Sequence, residues 1–163
     1  MNLEAAAVTR LRDYLLHDHS AADESLVSSP ATIEAILRRI RPFAEIMYLV
    51  MATDGDVDAA ERKTLLSALE VLCDKIVPPV QLETLLDEFR QGGGIEEEDR
   101  IQMAAARIGA EKQDREMAFL LAAAIAVADH RLEEVERTTM QWVREYLGIS
   151  DRRMNELLAE NLV

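Results

Sequence analysis

Residues 47–72, MYLVMATDGDVDAAERKTLLSALEVL, decide the fold. An apolar run gives way at Asp54-Gly55, and Gly55 suits the turn after a helix because it can take a left-handed backbone. Asp58-x-x-Glu61 has the spacing of a capping box with Asp at the cap. The stretch therefore predicts a helix over roughly 43–53, a tight turn, and a second helix from about 59 to 75.

The same design returns further along, in residues 122–150, AAAIAVADHRLEEVERTTMQWVREYLGIS. Asp54 to Asp129 and Glu61 to Glu136 are both 75 residues apart. At that offset Arg62 meets Arg137, Thr64 meets Thr139, Glu70 meets Glu145 and Leu72 meets Leu147. Two helical hairpins of one design follow, at about 43–72 and 118–147, related by a pseudo-two-fold axis. Two copies are too few for a solenoid.

Outward from the repeat the punctuation is helical throughout. Leu3, Ala7, Val8, Leu11 and Leu15 recur at helical spacing, so an amphipathic helix ends near His17. Residues 18–29 are polar and read as a linker. Ser29-Pro30 opens a new helix, with Ser as cap and Pro in the first turn. Pro42 predicts a break or sharp kink. Pro78-Pro79 ends the helix after the first turn. Helices follow over about 80–91, 96–108, 111–128, 133–147 and 151–160. Gly92-Gly93-Gly94 is a hinge, because it lacks the Lys-Ser/Thr of a phosphate loop. Gly109 and Gly148 are stops. No strand-like alternation occurs. The expected architecture is an all-α compact bundle of about seven or eight helices, with residues 1–29 as N-terminal helix and linker and 30–163 as the domain.

Composition narrows the function. Against 18 Lys and Arg stand 31 Asp and Glu, a net charge of −13. Phosphate backbones and anionic membranes require a basic footprint, so nucleic acid and a membrane surface are excluded as expected partners. Cations and basic protein surfaces remain open. The single cysteine, Cys73, allows no intrachain disulfide and fits a reducing, cytoplasmic setting. The N-terminal residues show no apolar signal-peptide region. The longest apolar run, Met117 to Ala128, is shorter than the ~20 residues that span a bilayer.

In each hairpin the Asp ends a buried helix and the Glu sits in the first turn of the next. With the turns adjacent, Asp54, Glu61, Asp129 and Glu136 would converge, and clustered carboxylates require a neutralising cation or arginine. Oxygen-only clusters suit Ca²⁺, Mg²⁺ or Mn²⁺. The alternative is structural: the Asp bonds its own turn, the Glu caps its helix, and Arg62 and Arg137 balance the charge. An EF-hand is excluded in the first copy, since Val50 and Ala52 stand where a calcium loop has ligands. The second copy replaces Gly55 and Asp56 by His130 and Arg131.

The two quoted stretches resemble the TerB-like, tellurite-resistance-associated family. Its helix–Asp-Gly–turn–Glu–helix unit occurs here twice, and the likeness covers roughly residues 33–160. It departs at His130, where the family often has Gly. The resemblance implies an all-helical domain, a bacterial cytoplasmic setting, a role in stress or tellurite-resistance systems, and no enzymatic activity. It also implies divalent-cation binding at Asp54, Glu61, Asp129 and Glu136. The expected function is thus a non-enzymatic module, monomeric or homodimeric, with a protein partner that the sequence does not identify. The alternative is a metal-free helical interaction domain.

Other constellations read more plainly. His17-Asp18-His19 lies at a helix end beside the linker and reads as solvated. His130 tolerates a left-handed turn or adds a ligand. No Glu-x-x-His occurs, which argues against a di-iron bundle. Cys73 has apolar neighbours and reads as a buried, inert thiol. Trp142 reads as core. Glu96-Glu97-Glu98-Asp99 decorates a helix N-terminus or serves as a docking patch for a basic partner.

Overall fold

Ser29 and Pro30 open the first helix as their chemistry requires. The Ser29 side chain accepts from the Thr32 N–H at 3.2 Å, and Pro30 takes a first-turn position where its missing N–H costs nothing. The computed structural model describes residues 9–10, 12–13, 29–128 and 134–162, and within these not the side chains of residues 54, 128, 134–136 and 162. Seven α-helices and no strand occur among the described residues. They are α1 (Pro30–Met51), α2 (Ala59–Leu72), α3 (Pro79–Gln91), α4 (Glu97–Ile108), α5 (Lys112–Ala128), α6 (Glu134–Tyr146) and α7 (Asp151–Leu162), with a 3₁₀ turn at Ala52–Asp54.

The expected break at Pro42 does not occur: α1 runs unbroken for 22 residues with Pro42 inside it. Proline in a helix interior costs about 3 kcal/mol. The half of α1 that follows is buried almost all round, with Phe43, Ala44, Ile46, Met47, Tyr48, Leu49, Val50 and Met51 in the core. Full burial of each large apolar side chain is worth roughly 1.5–3 kcal/mol, so packing outweighs the proline several-fold. The hydrogen bond that Pro42 cannot make belongs to Arg38, a residue exposed to water.

The other central helix is α5, where Ala118 to Ala126 are all buried. Its alanines let α1 pack closely on it. Around this pair, α4 packs on α1 and α6, α2 on α3, and α7 on α5. The helix order α1–α2–α3 thus recurs as α5–α6–α7. The 3₁₀ turn after α1 lies against α6.

The hairpin helices end differently in the two copies. At α6, Gly148 takes φ 69° and Ile149 N–H reaches back to the Arg144 carbonyl at 3.0 Å, a Schellman stop. At α2 the expected end near residue 75 is moved to Leu72. Cys73 stands where the second copy has Gly148, so Asp74 takes the left-handed position at φ 50°, and Lys75 follows at φ 59°. Lys75 N–H then bonds the Glu70 carbonyl at 2.9 Å. Gly55 departs from the left-handed helical conformation expected of it. Its φ of 138° and ψ of −149° lie in a region that glycine alone occupies readily.

Candidate functional site

The first acidic turn is assembled from the end of α1, the 3₁₀ turn and the start of α2. Asp58 and Glu61 form the capping box that their spacing predicts. The Asp58 N–H donates to Glu61 Oε2 at 2.8 Å, and the Glu61 N–H donates to Asp58 Oδ1 at 2.8 Å. Glu61 therefore gives one carboxylate oxygen to its own turn. Among the described side chains, Arg62 is engaged away from the turn. It reaches α3, where it pairs with Asp87 at 2.9 Å and donates to the Glu83 carbonyl at 3.1 Å.

The turn meets the second hairpin through hydroxyls. Thr53 Oγ1 lies 2.8 Å from the Val50 carbonyl and 3.2 Å from Thr139 Oγ1 on α6. Thr139 is buried and donates to Glu97 Oε1 at 3.0 Å. Burial pushes the Glu97 carboxyl above its ordinary range, while the hydroxyls of Thr139 and Thr53 and the charge of Arg100 pull it back. One residue on, Glu98 accepts from the Tyr146 hydroxyl at 2.7 Å, which holds that phenol above its ordinary range. Two of the four acids read as helix decoration or docking patch are thus engaged by α6, while Glu96 and Asp99 are exposed.

Of the four residues expected to gather round a cation, Glu61 alone has a described side chain. Asp54 closes the 3₁₀ turn and Glu136 lies in the first turn of α6, with neither side chain described. Asp129 lies outside the described residues, as do His17, His19 and His130. Among the described residues no three His, Cys, Asp or Glu side chains are grouped to hold a metal ion. The contact between Thr53, which precedes Asp54, and Thr139, one helical turn beyond Glu136, joins the two copies at this point.

The Thr53–Thr139–Glu97 junction was missed in the sequence. Its signal was available: Thr139 shares a face of α6 with Val143 and Leu147, both buried. A hydroxyl on such a face requires a partner from a neighbouring helix. The Thr139–Glu97 pair is a hydroxyl beside a carboxylate, but Thr139 at 1% exposure is closed to any substrate. The Cys73 thiol is fully buried and pushed up to about 12, so it is inert. Trp142 is partly buried and packs on the core. A cleft of about 340 Å³ beside the start of α5 is lined by Lys112, Arg115 and Arg153. Its positive charge is answered from within, by Glu116 bridging Lys112 and Arg153.

No helix of the described residues is long and apolar enough to cross a membrane. Neither a curated protein nor a solved structure matches the chain. A family model does: that of the tellurite resistance protein TerB, over residues 43–159. This span holds both acidic turns, the Thr53–Thr139–Glu97 junction and all but the first half of α1, and the chain belongs to the TerB tellurite-resistance family.

Proposed function

We propose that the protein is a non-enzymatic, cytoplasmic TerB module that takes up a divalent cation of the Ca²⁺, Mg²⁺ or Mn²⁺ kind at its acidic turns and passes that state to a protein partner in a stress response. The observation that carries this reading is the 3.2 Å approach of Thr53 Oγ1 to Thr139 Oγ1. It supports a shared site, because Asp54 follows Thr53 and Glu136 precedes Thr139 by one turn. Asp54, Glu61, Asp129 and Glu136 would hold the ion as hard oxygen ligands. Glu61 retains a second carboxylate oxygen beyond the one in its cap. Binding would be weak and asymmetric, since His130 replaces Gly55 in the second turn. Thermal unfolding tests the reading. A ligand that prefers the native state raises Tm, by the equivalent of ~2.7 kcal/mol at a hundredfold excess over Kd. Millimolar Ca²⁺, Mg²⁺ or Mn²⁺ is expected to raise Tm in the wild type and not in Asp54→Ala. Absence of a shift with all three ions would sink the proposal.

The reciprocal Asp58–Glu61 cap favours a second reading, a metal-free interaction domain whose acids serve their own helices. Under that reading Glu61→Ala lowers Tm equally with and without divalent ions. Under the first, the loss is larger when the ion is present.

A further inference from the structure

We infer that the outer face of α4 is a self-association surface, on which a second copy of this chain packs its own α4 antiparallel about a two-fold axis at Met103. α4 stands between the two repeated units, and its inner face is used within the chain. Ile101, Ala104, Ala105 and Ile108 are buried, and the helix packs on α1 and α6. The opposite face carries Asp99, Met103 and Arg107. These are spaced by four residues, so they form one ridge along the helix. All three are exposed, Met103 to 43%. The ridge thus runs acid, apolar, base, an order that is complementary to its own reverse.

Ridges of four-residue spacing interdigitate in the commonest class of helix packing, at about −50°. With two copies of α4 antiparallel, the ridge of one runs beside the reversed ridge of the other. Met103 then meets the partner's Met103 at the axis, and Asp99 faces the partner's Arg107 on both sides, as a self-complementary two-fold contact requires. Both charges are available for this. Asp99 makes no ion pair among the described residues. Arg107 approaches Glu45 only to 3.6 Å and is 53% exposed, and Glu45 is also held by Arg100. The exposed Ala106 beside the ridge lets the two backbones approach. Val71, Val80, Ile95 and Val127 are exposed too, but none has an acid four residues before it and a base four after. A single helix pair buries less than the roughly 1,200 Å² of a standard interface, so the dimer is weak, with a Kd of about 10–100 μM. The surface is independent of any cation at the acidic turns.

Sedimentation equilibrium of the full chain tests this, in salt of about 0.15 M, where a Debye length of ~8 Å screens the net charge of −13 on each copy. The wild type is expected to dimerise with rising concentration. Asp99→Arg and Arg107→Asp are each expected to weaken the dimer about tenfold, since the two-fold axis doubles the loss of an exposed ion pair. Mixed together, the two variants have opposite charges at both contacts and are expected to form a mixed dimer of wild-type affinity. Arg107→Asp also brings an acid near Glu45, so Met103→Cys supplies a second test. Across the axis its thiol is expected to form an intermolecular disulfide at least tenfold faster than that of Val80→Cys, which is 73% exposed and away from α4. Cys73 is buried and does not compete. A wild type that stays monomeric at millimolar concentration, no recovery on mixing, or equal disulfide rates at positions 103 and 80 overturns the proposal.

Discussion

Thr139 Oγ1 lies 3.0 Å from Glu97 Oε1, and through that hydrogen bond α6 is fastened to the first turn of α4. Thr139 is fully buried, so its hydroxyl cannot exchange this partner freely for water. Thr139→Val keeps the shape and removes the donor. Glu97 is partly buried and keeps the Thr53 hydroxyl, so the cost is that of one hydrogen bond, about 0.5–1.5 kcal/mol. Urea unfolding of Thr139→Val is expected to show a loss in that range. The equivalent Thr64→Val should change little, because among the described residues Thr64 bonds only the Ala60 carbonyl of its own helix. Equal losses at both positions would show that the junction carries no special weight.

Glu97 and Glu116 are expected to give the pH dependence opposite signs. Burial raises the Glu97 carboxyl above 4.5 in the folded chain. The unfolded chain then ionises first as pH rises, so this group's contribution falls from 4.5 up to its raised value and is flat above it. Glu116 is lowered from 4.5 chiefly by its hydrogen bonds to Arg153, at 2.7 and 2.9 Å. Its contribution is present above 4.5 and is lost as pH falls through its lowered value. Relative to wild type, Glu97→Gln should therefore gain stability as pH rises above 4.5. Glu116→Gln should be worse than wild type at neutral pH, with the deficit shrinking in acid below 4.5. Urea midpoints across the acidic range to neutrality, compared variant against wild type, check both signs.

Local chemistry was legible where one residue and its near neighbours decide the outcome. Ser29-Pro30 opens α1, Asp58 and Glu61 cap each other, and Gly148 ends α6. Pro42 was misread because its cost is local, while its compensation lies in what the next turns of α1 bury. The junction at Glu97 was missed for a related reason. Glu97 and Thr139 are 42 residues apart, and only the packing of α4 across α6 brings them together. Glu61 shows the remaining limit. Its position fits a ligand and a cap alike, and what separates the two in a sequence is whether the other acidic turn lies beside it.

Glu45 and Arg100 form an ion pair inside the α1–α4 interface, at 3.5 Å with side chains 12% and 11% exposed. Removing one partner leaves a buried charge, which costs about 3–5 kcal/mol, whereas replacing both by apolar groups is often close to neutral. Arg100→Met alone is expected to fall at the lower end of that cost, because Arg107 also approaches Glu45, at 3.6 Å. Glu45→Met/Arg100→Met should recover most of the loss. A double variant no more stable than Arg100→Met would place the weight of Arg100 in its bond to the Phe89 carbonyl instead.

Backbone strain separates Gly55 from Lys75. Gly55 has open space around its Cα, so an added Cβ meets no atom, and the cost of Gly55→Ala is conformational. At φ 138° that cost is about 1–3 kcal/mol. Lys75 shows the converse: it sits at φ 59°, a left-handed conformation that costs an ordinary residue about 1–2 kcal/mol. Lys75→Gly relieves it, and the greater freedom of glycine in the unfolded chain returns roughly 0.5–1 kcal/mol of that. A net gain of a few tenths of a kcal/mol up to about 1 kcal/mol is expected. Thermal unfolding should move Gly55→Ala down and Lys75→Gly up. Destabilisation by Lys75→Gly would mean that the Lys75 side chain contributes more than the left-handed turn costs it.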